Sequence, residues 1–130
     1  MIDDDFDFVE FARIVLQSAD YEVLTASRAD EGLALMRQVH PDLVLLDVVI
    51  SYALDGLNVI REMREDPRLA GIPLILISAI VSGEELDLLP KDERLKPDLF
   101  MSKPVEPTVL LERVRQLTAA GNPGRYAPEI

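Results

Sequence analysis

The chain has 130 residues, of which 48% are hydrophobic, so it can bury a core of its own and differs in composition from a disordered protein. Its 13 basic and 24 acidic residues give a formal charge of −11, which disfavours binding to nucleic acids or to anionic membranes. The absence of cysteine excludes disulfides, thiolate zinc sites and cysteine nucleophiles. No signal peptide and no apolar run of membrane-spanning length is present, so we expect a cytoplasmic protein.

The first third of the chain alternates helix and strand. Apolar residues within 8–19 recur at helical spacing, with Asp7 as the expected N-cap. Residues 21–26 contain β-branched side chains and mixed polarity, which predicts an edge strand. Residues 27–30 have the form of a capping box and predict a helix that ends before Pro41.

The rest of the chain continues the alternation. The unbroken apolar run 43–46, followed by Asp47, predicts a strand buried on both faces, and residues 74–77 predict a second. A helix is expected between them, over about 56–65. Later elements are a short helical segment at 84–89, a short strand at 99–101 and a last helix with Pro107 in its first turn.

Strands that alternate with helices predict parallel β-α-β units, with helices on both faces of one sheet. Ligands of such α/β folds bind at the carboxyl ends of the strands. We therefore expect the polar residues that follow the apolar runs to share one edge of the sheet. These residues are Asp3, Asp4, Asp47, Ser78 and Lys103.

Three carboxylates at one edge repel each other unless a cation joins them, and Mg²⁺ prefers such hard oxygen ligands. A carboxylate beside Mg²⁺ can attack phosphorus and form an aspartyl phosphate. Lysine and serine are side chains that can hold the phosphoryl oxygens.

These motifs together resemble the receiver domain of two-component response regulators, over residues 1–118. The motifs are Ile2-Asp3-Asp4, the run 43–48, Asp55-Gly56, the run 76–79 and Ser102-Lys103-Pro104. The resemblance implies a flavodoxin-like, doubly wound parallel sheet of five strands in the order 2-1-3-4-5. We expect residues 119–130 to form a tail without domain structure, and we expect a stand-alone receiver with no output domain.

The resemblance also implies roles for individual residues. Asp47 would be the phosphoacceptor. Asp4 would bind Mg²⁺ directly, Asp3 would act through water, and the backbone carbonyl of Val49 would be a further ligand.

In the same family pattern, Ser78 would bond the phosphoryl group and Lys103 would neutralise it. Phe100, three residues before the lysine, would occupy the aromatic switch position. The phosphodonor would be a histidine kinase or a phosphotransfer protein, and the output would be contact with an unidentified downstream protein.

The sequence departs from the family pattern in three places. Only Met1 and Ile2 precede the acidic pair, so the first strand is very short or truncated, and a second chain filling its position would favour a homodimer. The loop 48–56 is one residue longer than usual and lacks the usual proline. The stretch 80–99 is also long and contains two prolines, which predicts a short or irregular helix.

Other interpretations remain open. A degenerate receiver would act as a phosphate-independent interaction module. An aspartyl-phosphate phosphatase would need a second aspartate two positions after Asp47, where this chain has Val49. Asp3, Asp4 and Asp5 could belong to a solvated terminus, and His40 suits the end of a helix better than a phosphotransfer or metal site.

Overall fold

The computed structural model describes residues 1–47, 55–78 and 97–118. In these ranges the helices are α1 (Phe6–Gln17), α2 (Ala29–Val39), α3 (Asp55–Glu65) and α4 (Pro107–Thr118), and the strands are β1 (Val44–Asp47), β2 (Leu74–Ser78) and β3 (Leu99–Ser102). Four predictions lie outside the described residues: the long loop after Asp47, the Val49 carbonyl, the helical segment 84–89 and the tail 119–130.

The three strands form a parallel sheet in the order β1-β2-β3. Ile2 extends this sheet beyond β1, because it makes parallel bridges to Leu46 on one side and to Ala26 on the other. The spatial order is therefore residue 26, residue 2, β1, β2, β3. This order confirms the predicted 2-1-3-4-5 arrangement and the very short first strand.

The segment 21–26 lies at the predicted edge of the sheet, next to Ile2, but it has isolated bridges, at Val23 and Ala26, in place of the expected continuous strand. Three hydrogen bonds join this segment to residues 1–3. The Ala26 N–H donates to the Met1 carbonyl at 2.9 Å, the Asp3 N–H donates to the Ala26 carbonyl at 3.0 Å, and the Met1 ammonium donates to the Leu24 carbonyl at 2.8 Å.

Two of the predicted helix caps are corrected. Helix α1 begins at Phe6 with Asp5 as N-cap, and Asp7 lies in the first turn. The predicted capping box at residues 27–30 does not form, because α2 begins at Ala29 and its N-cap, Arg28, makes no side-chain capping bond. The end of α2 is as predicted, with His40 in the left-handed conformation (φ 51°) as its C-cap.

The core consists of two apolar clusters, one on each face of the sheet. Alternate strand residues supply both, as Leu46 and Leu76 belong to one cluster and Leu45 and Ile75 to the other. Buried residues of α2 and α3 cover the first face, and buried residues of α1 and α4 cover the second. Strands buried on both faces explain the unbroken apolar runs at 43–46 and 74–77.

Among the described helices, none is long and apolar enough to cross a membrane.

Candidate functional site

The register of the sheet aligns the carboxyl ends of the strands. Asp47, the last residue of β1, pairs with Ile77, and Ser78, the last residue of β2, pairs with Ser102. Ile2 holds the chain end in line with them, because the Asp47 N–H donates to the Ile2 carbonyl at 2.9 Å. The residues that follow the strands therefore meet at one edge, as the sequence predicts.

Three carboxylates converge at this edge. Asp3, Asp4 and Asp47 each offer an oxygen atom, and these atoms all lie within 4.8 Å of one another. The side chains of Asp3 and Asp47 are buried, with residue exposures of 3% and 7%, whereas Asp4 is exposed. The predicted acidic pair and the predicted phosphoacceptor are thus brought together, with one of the three open to solvent.

Lys103 places its ammonium group among these carboxylates. Its Nζ lies 2.9 Å from Asp3 Oδ2, 3.4 Å from Asp47 Oδ2 and 3.6 Å from Asp5 Oδ2. Burial by itself lowers the pKa of Lys103, but the hydrogen bond to Asp3 and the charges of Asp3, Asp47 and Asp5 outweigh it, so the pKa is raised. The group therefore remains charged at neutral pH.

The N-cap of α1, Asp5, and a residue of its first turn, Phe8, also contact the lysine, and the sequence interpretation missed both as parts of the site. Asp5 makes the third ion pair, and the Phe8 ring centroid lies 4.5 Å from Nζ. Asp5 directly follows the predicted acidic pair and precedes the helical pattern, and this position in the sequence could have indicated that it belongs to the site. From the sequence, Phe8 is predicted only to be a core residue, because its apolar ring fits the helix periodicity.

The remaining predicted residues are placed as follows. Ser78 ends β2, so its backbone lies at the same edge as Asp47. Phe100 lies in β3 opposite Leu76 and packs, half-buried, against the cluster on the α2 and α3 face. Val49 lies outside the described residues.

The donor set suits a divalent cation. Carboxylate oxygens are the ligands that Mg²⁺ prefers, and Mg²⁺ commonly keeps several waters beside one or two carboxylates. Within the described residues, the Lys103 ammonium pairs with this cluster, and its single charge does not balance those of Asp3, Asp4 and Asp47. A cavity of about 250 Å³ lies beside Asp3 and Asp4 and is lined also by Phe6 and Ser27, among others.

Comparison with known proteins agrees with this geometry. The family model described as response regulator receiver domain matches residues 1–115. The chain is 33% identical over 117 residues to the DNA-binding dual master transcriptional regulator RpaA of Synechocystis, covering 90% of this chain and 47% of that protein. It is 34% identical over 119 residues to the response regulator PleD of Caulobacter vibrioides, covering 91% of this chain and 25% of PleD.

Solved structures show the same fold. A CheY-like response regulator receiver domain protein from Methanospirillum hungatei matches with a TM-score of 0.76 and 25% identity, over 91% of this chain and 90% of that one. The receiver domain of NtrX from Brucella abortus matches with a TM-score of 0.77 and 24% identity, over 92% of this chain and 97% of that one. The chain spans half or less of the two curated regulators described above, and the part that it shares with them is the receiver. It belongs to the response regulator receiver domain family.

Proposed function

We propose that this receiver domain accepts a phosphoryl group on Asp47, with Mg²⁺ bound through Asp3, Asp4, Asp47 and the backbone carbonyl of Val49. The observation that carries the proposal is the convergence of the three carboxylates within 4.8 Å of one another, with Lys103 Nζ 3.4 Å from Asp47 Oδ2. Asp4, the exposed member, is the direct ligand, and the buried Asp3 acts through water.

In the proposed reaction, a carboxylate oxygen of Asp47 attacks the phosphorus atom of the donor. The new O–P bond forms as the P–N bond of a phosphohistidine, or the P–O bond of a small acyl phosphate, breaks and the leaving group departs with the electron pair. When bound, Mg²⁺ reduces the repulsion between the carboxylates and the incoming phosphoryl oxygens. Lys103 lies close enough to Asp47 to pair with a phosphoryl oxygen afterwards.

The proposed consequence is a switch at the protein surface. A phosphoryl group adds charge and acceptor oxygens next to the end of β2, where Ser78 would bond it. Phe100, on the neighbouring strand, would then change position against the α2 and α3 face of the sheet. Such a two-state element also allows a bound partner to shift the equilibrium without phosphorylation.

The proposed phosphodonor is a histidine kinase or a phosphotransfer protein, and the output is a protein contact. The net charge of −11 argues against direct contact between this domain and nucleic acid. RpaA is named as a DNA-binding protein, but this chain matches less than half of it. The name therefore does not assign DNA binding to the receiver.

The test is incubation of the chain with Mg²⁺ and acetyl phosphate, followed by intact mass spectrometry. We expect the wild type to gain one phosphoryl group, Asp47→Asn to gain none, and Asp7→Asn to gain one, since Asp7 is an exposed residue of the first helical turn. An unmodified wild type, under conditions that label another receiver, would contradict the proposal and favour the phosphate-independent interaction module. Catalytic turnover of a chromogenic phosphate ester would instead favour the phosphatase.

A further inference from the structure

We propose that Asp5 is a positioning residue that holds the Lys103 ammonium against helix α1 in the resting state and so weakens the binding of phosphoryl groups at Asp47. This inference rests on the function proposed above. It assigns to the N-cap residue of α1 a role in controlling how tightly the site binds a phosphoryl group. Its basis is the geometry around Lys103 Nζ.

The start of helix α1 contacts the ammonium through its N-cap, Asp5, and through Phe8 of its first turn. Asp5 Oδ2 lies 3.6 Å from Nζ, and the Phe8 ring centroid lies 4.5 Å from it. The ring face attracts a cation through its quadrupole, and the carboxylate attracts it through its charge. Both attractions draw the ammonium towards α1.

Hydrogen bonds fix these contacts in place. Asp5 Oδ1 accepts the Phe8 N–H at 3.2 Å as the helix cap, which leaves Oδ2 for the lysine. The Asp5 N–H in turn donates to Asp3 Oδ1 at 2.9 Å, while Asp3 Oδ2 binds the lysine. Asp5 is therefore held at both its backbone and its side chain, so its position towards Lys103 follows from the start of the helix.

A phosphoryl group on Asp47 would compete for the same ammonium. Asp47 Oδ2 lies 3.4 Å from Nζ, compared with 3.6 Å for Asp5 Oδ2. If the Lys103 ammonium moves towards phosphoryl oxygens, its attraction to Asp5 becomes weaker. The negative charge of Asp5 also repels those oxygens. Removal of this one charge, with the cap preserved, should thus favour the phosphoryl-bound state.

The matched variants are Asp5→Asn, which keeps a cap acceptor but loses the charge, and Asp7→Asn, which makes the same charge change on the exposed side of the same turn. Asp5→Ser is a second uncharged cap residue. The probe is beryllofluoride with Mg²⁺, which mimics a phosphoryl group on an aspartate. We expect Asp5→Asn and Asp5→Ser to bind it about three- to fivefold more tightly than the wild type, and Asp7→Asn to bind it like the wild type.

A second measurement needs neither Mg²⁺ nor phosphate. In the unliganded protein, ¹⁵N NMR of the Lys103 ammonium should show a group protected from solvent exchange, with protection reduced by Asp5→Asn and not by Asp7→Asn. Unchanged protection and unchanged beryllofluoride affinity in Asp5→Asn would overturn the inference, as would an equal affinity gain in Asp7→Asn. If the wild type binds no beryllofluoride but Asp5→Asn still loses protection, the proposed function fails while the contact between Asp5 and Lys103 stands.

Discussion

Ile2 packs its Cγ1 and Cδ1 atoms directly against Gly32 of helix α2, so closely that a β-carbon on residue 32 would overlap both atoms. Ile2 is fully buried, with 0% exposure, and is the residue that joins the segment ending at Ala26 to strand β1. The absence of a side chain at residue 32 therefore lets α2 lie against the short first strand. A glycine inside a helix otherwise destabilises it by about 1 kcal/mol relative to alanine.

The first prediction is that Gly32→Ala lowers the free energy of unfolding. The overlap with Ile2 should cost about 2–3 kcal/mol, which exceeds the gain of about 1 kcal/mol in helix propensity. Urea unfolding followed by circular dichroism measures the difference. Gly71→Ala is the control, because a β-carbon there meets nothing within 4 Å. An alanine at residue 32 that stabilises the protein would show that the contact is looser than described.

The second prediction concerns competition between Lys103 and Mg²⁺ for the carboxylates. The ammonium lies 2.9 Å from Asp3 and 3.4 Å from Asp47, so its charge opposes a second cation at the same oxygens. Lys103→Met should raise the affinity for Mg²⁺ about fivefold or more, as measured by calorimetric titration. Lys103→Arg, which keeps the charge, should remain close to the wild type. Equal affinities in the Met and Arg variants would contradict this interpretation.

The third prediction is a pH dependence at the end of α3. Hydrogen bonds from the Arg68 side chain and backbone, and a further one from the Arg37 side chain, lower the pKa of Asp66 from its usual 3.8 to about 2. A carboxyl whose pKa is lower in the folded state stabilises the fold above pH 3.8, and this stabilisation is lost as the pH falls towards 2.

A ¹³C NMR titration of the Asp66 carboxyl measures this pKa directly. Arg68→Ala should move it part of the way back towards 3.8, since the largest cause, the side-chain hydrogen bond, is removed while the backbone N–H of residue 68 still donates to Asp66. Arg61→Ala, at an exposed position of α3, should leave it unchanged. A pKa near 3.8 in the wild type would show that the Arg68 contacts do not persist in solution.

The fourth prediction concerns Arg64, which joins the end of α3 to the starts of β2 and β3. Its guanidinium donates to the carbonyls of Ala70 and Ile72 at 3.0 and 3.1 Å and to Asp98 Oδ2 at 3.2 Å. Asp98 Oδ2 also accepts the Leu74 N–H at 2.7 Å. The Arg64 side chain is only 11% exposed, but its partners differ: the bond to Ile72 is partly buried, whereas the bonds to Ala70 and Asp98 are exposed.

Arg64→Ala should therefore lower the free energy of unfolding by about 1 kcal/mol, because the partly buried Ile72 carbonyl and two exposed acceptors lose their donor. Arg64→Lys should recover only part of the loss, since one ammonium cannot reproduce the planar fork of a guanidinium. Arg61→Ala serves as the control on the same helix, and urea unfolding gives all three values. A lysine variant as stable as the wild type would mean that charge alone accounts for the effect.

Much of the fold was predictable because local patterns and the global architecture agree. The apolar runs 43–46 and 74–77 required strands buried on both faces, and the intervening helical spacing required crossovers that place helices on each side. The caps were less predictable. Asp5 and Asp7 are both acidic residues near the helix start, and sequence alone does not say which carboxylate meets the backbone N–H of Phe8.

The segment 21–26 shows where local pattern fails. Its β-branched residues favour a strand, but a strand exists only where a partner supplies hydrogen bonds. The hydrogen bonds between this segment and residues 1–3 are made at Leu24 and Ala26, and the segment forms isolated bridges instead of a continuous strand. Whether this segment forms a continuous strand therefore depends on the hydrogen bonds that the neighbouring residues offer, and not on its own sequence.

The amino-acid sequence by itself determined the alternating α/β architecture and the positions of Asp3, Asp4, Asp47 and Lys103 after apolar segments, because periodicity and strand ends are local properties of the chain. Only the tertiary structure decided that Lys103 is shared with Asp5 and lies over the ring of Phe8. Those contacts join the start of α1 to the residue after β3, nearly 100 positions later, and only parallel pairing across the sheet brings the two ends together.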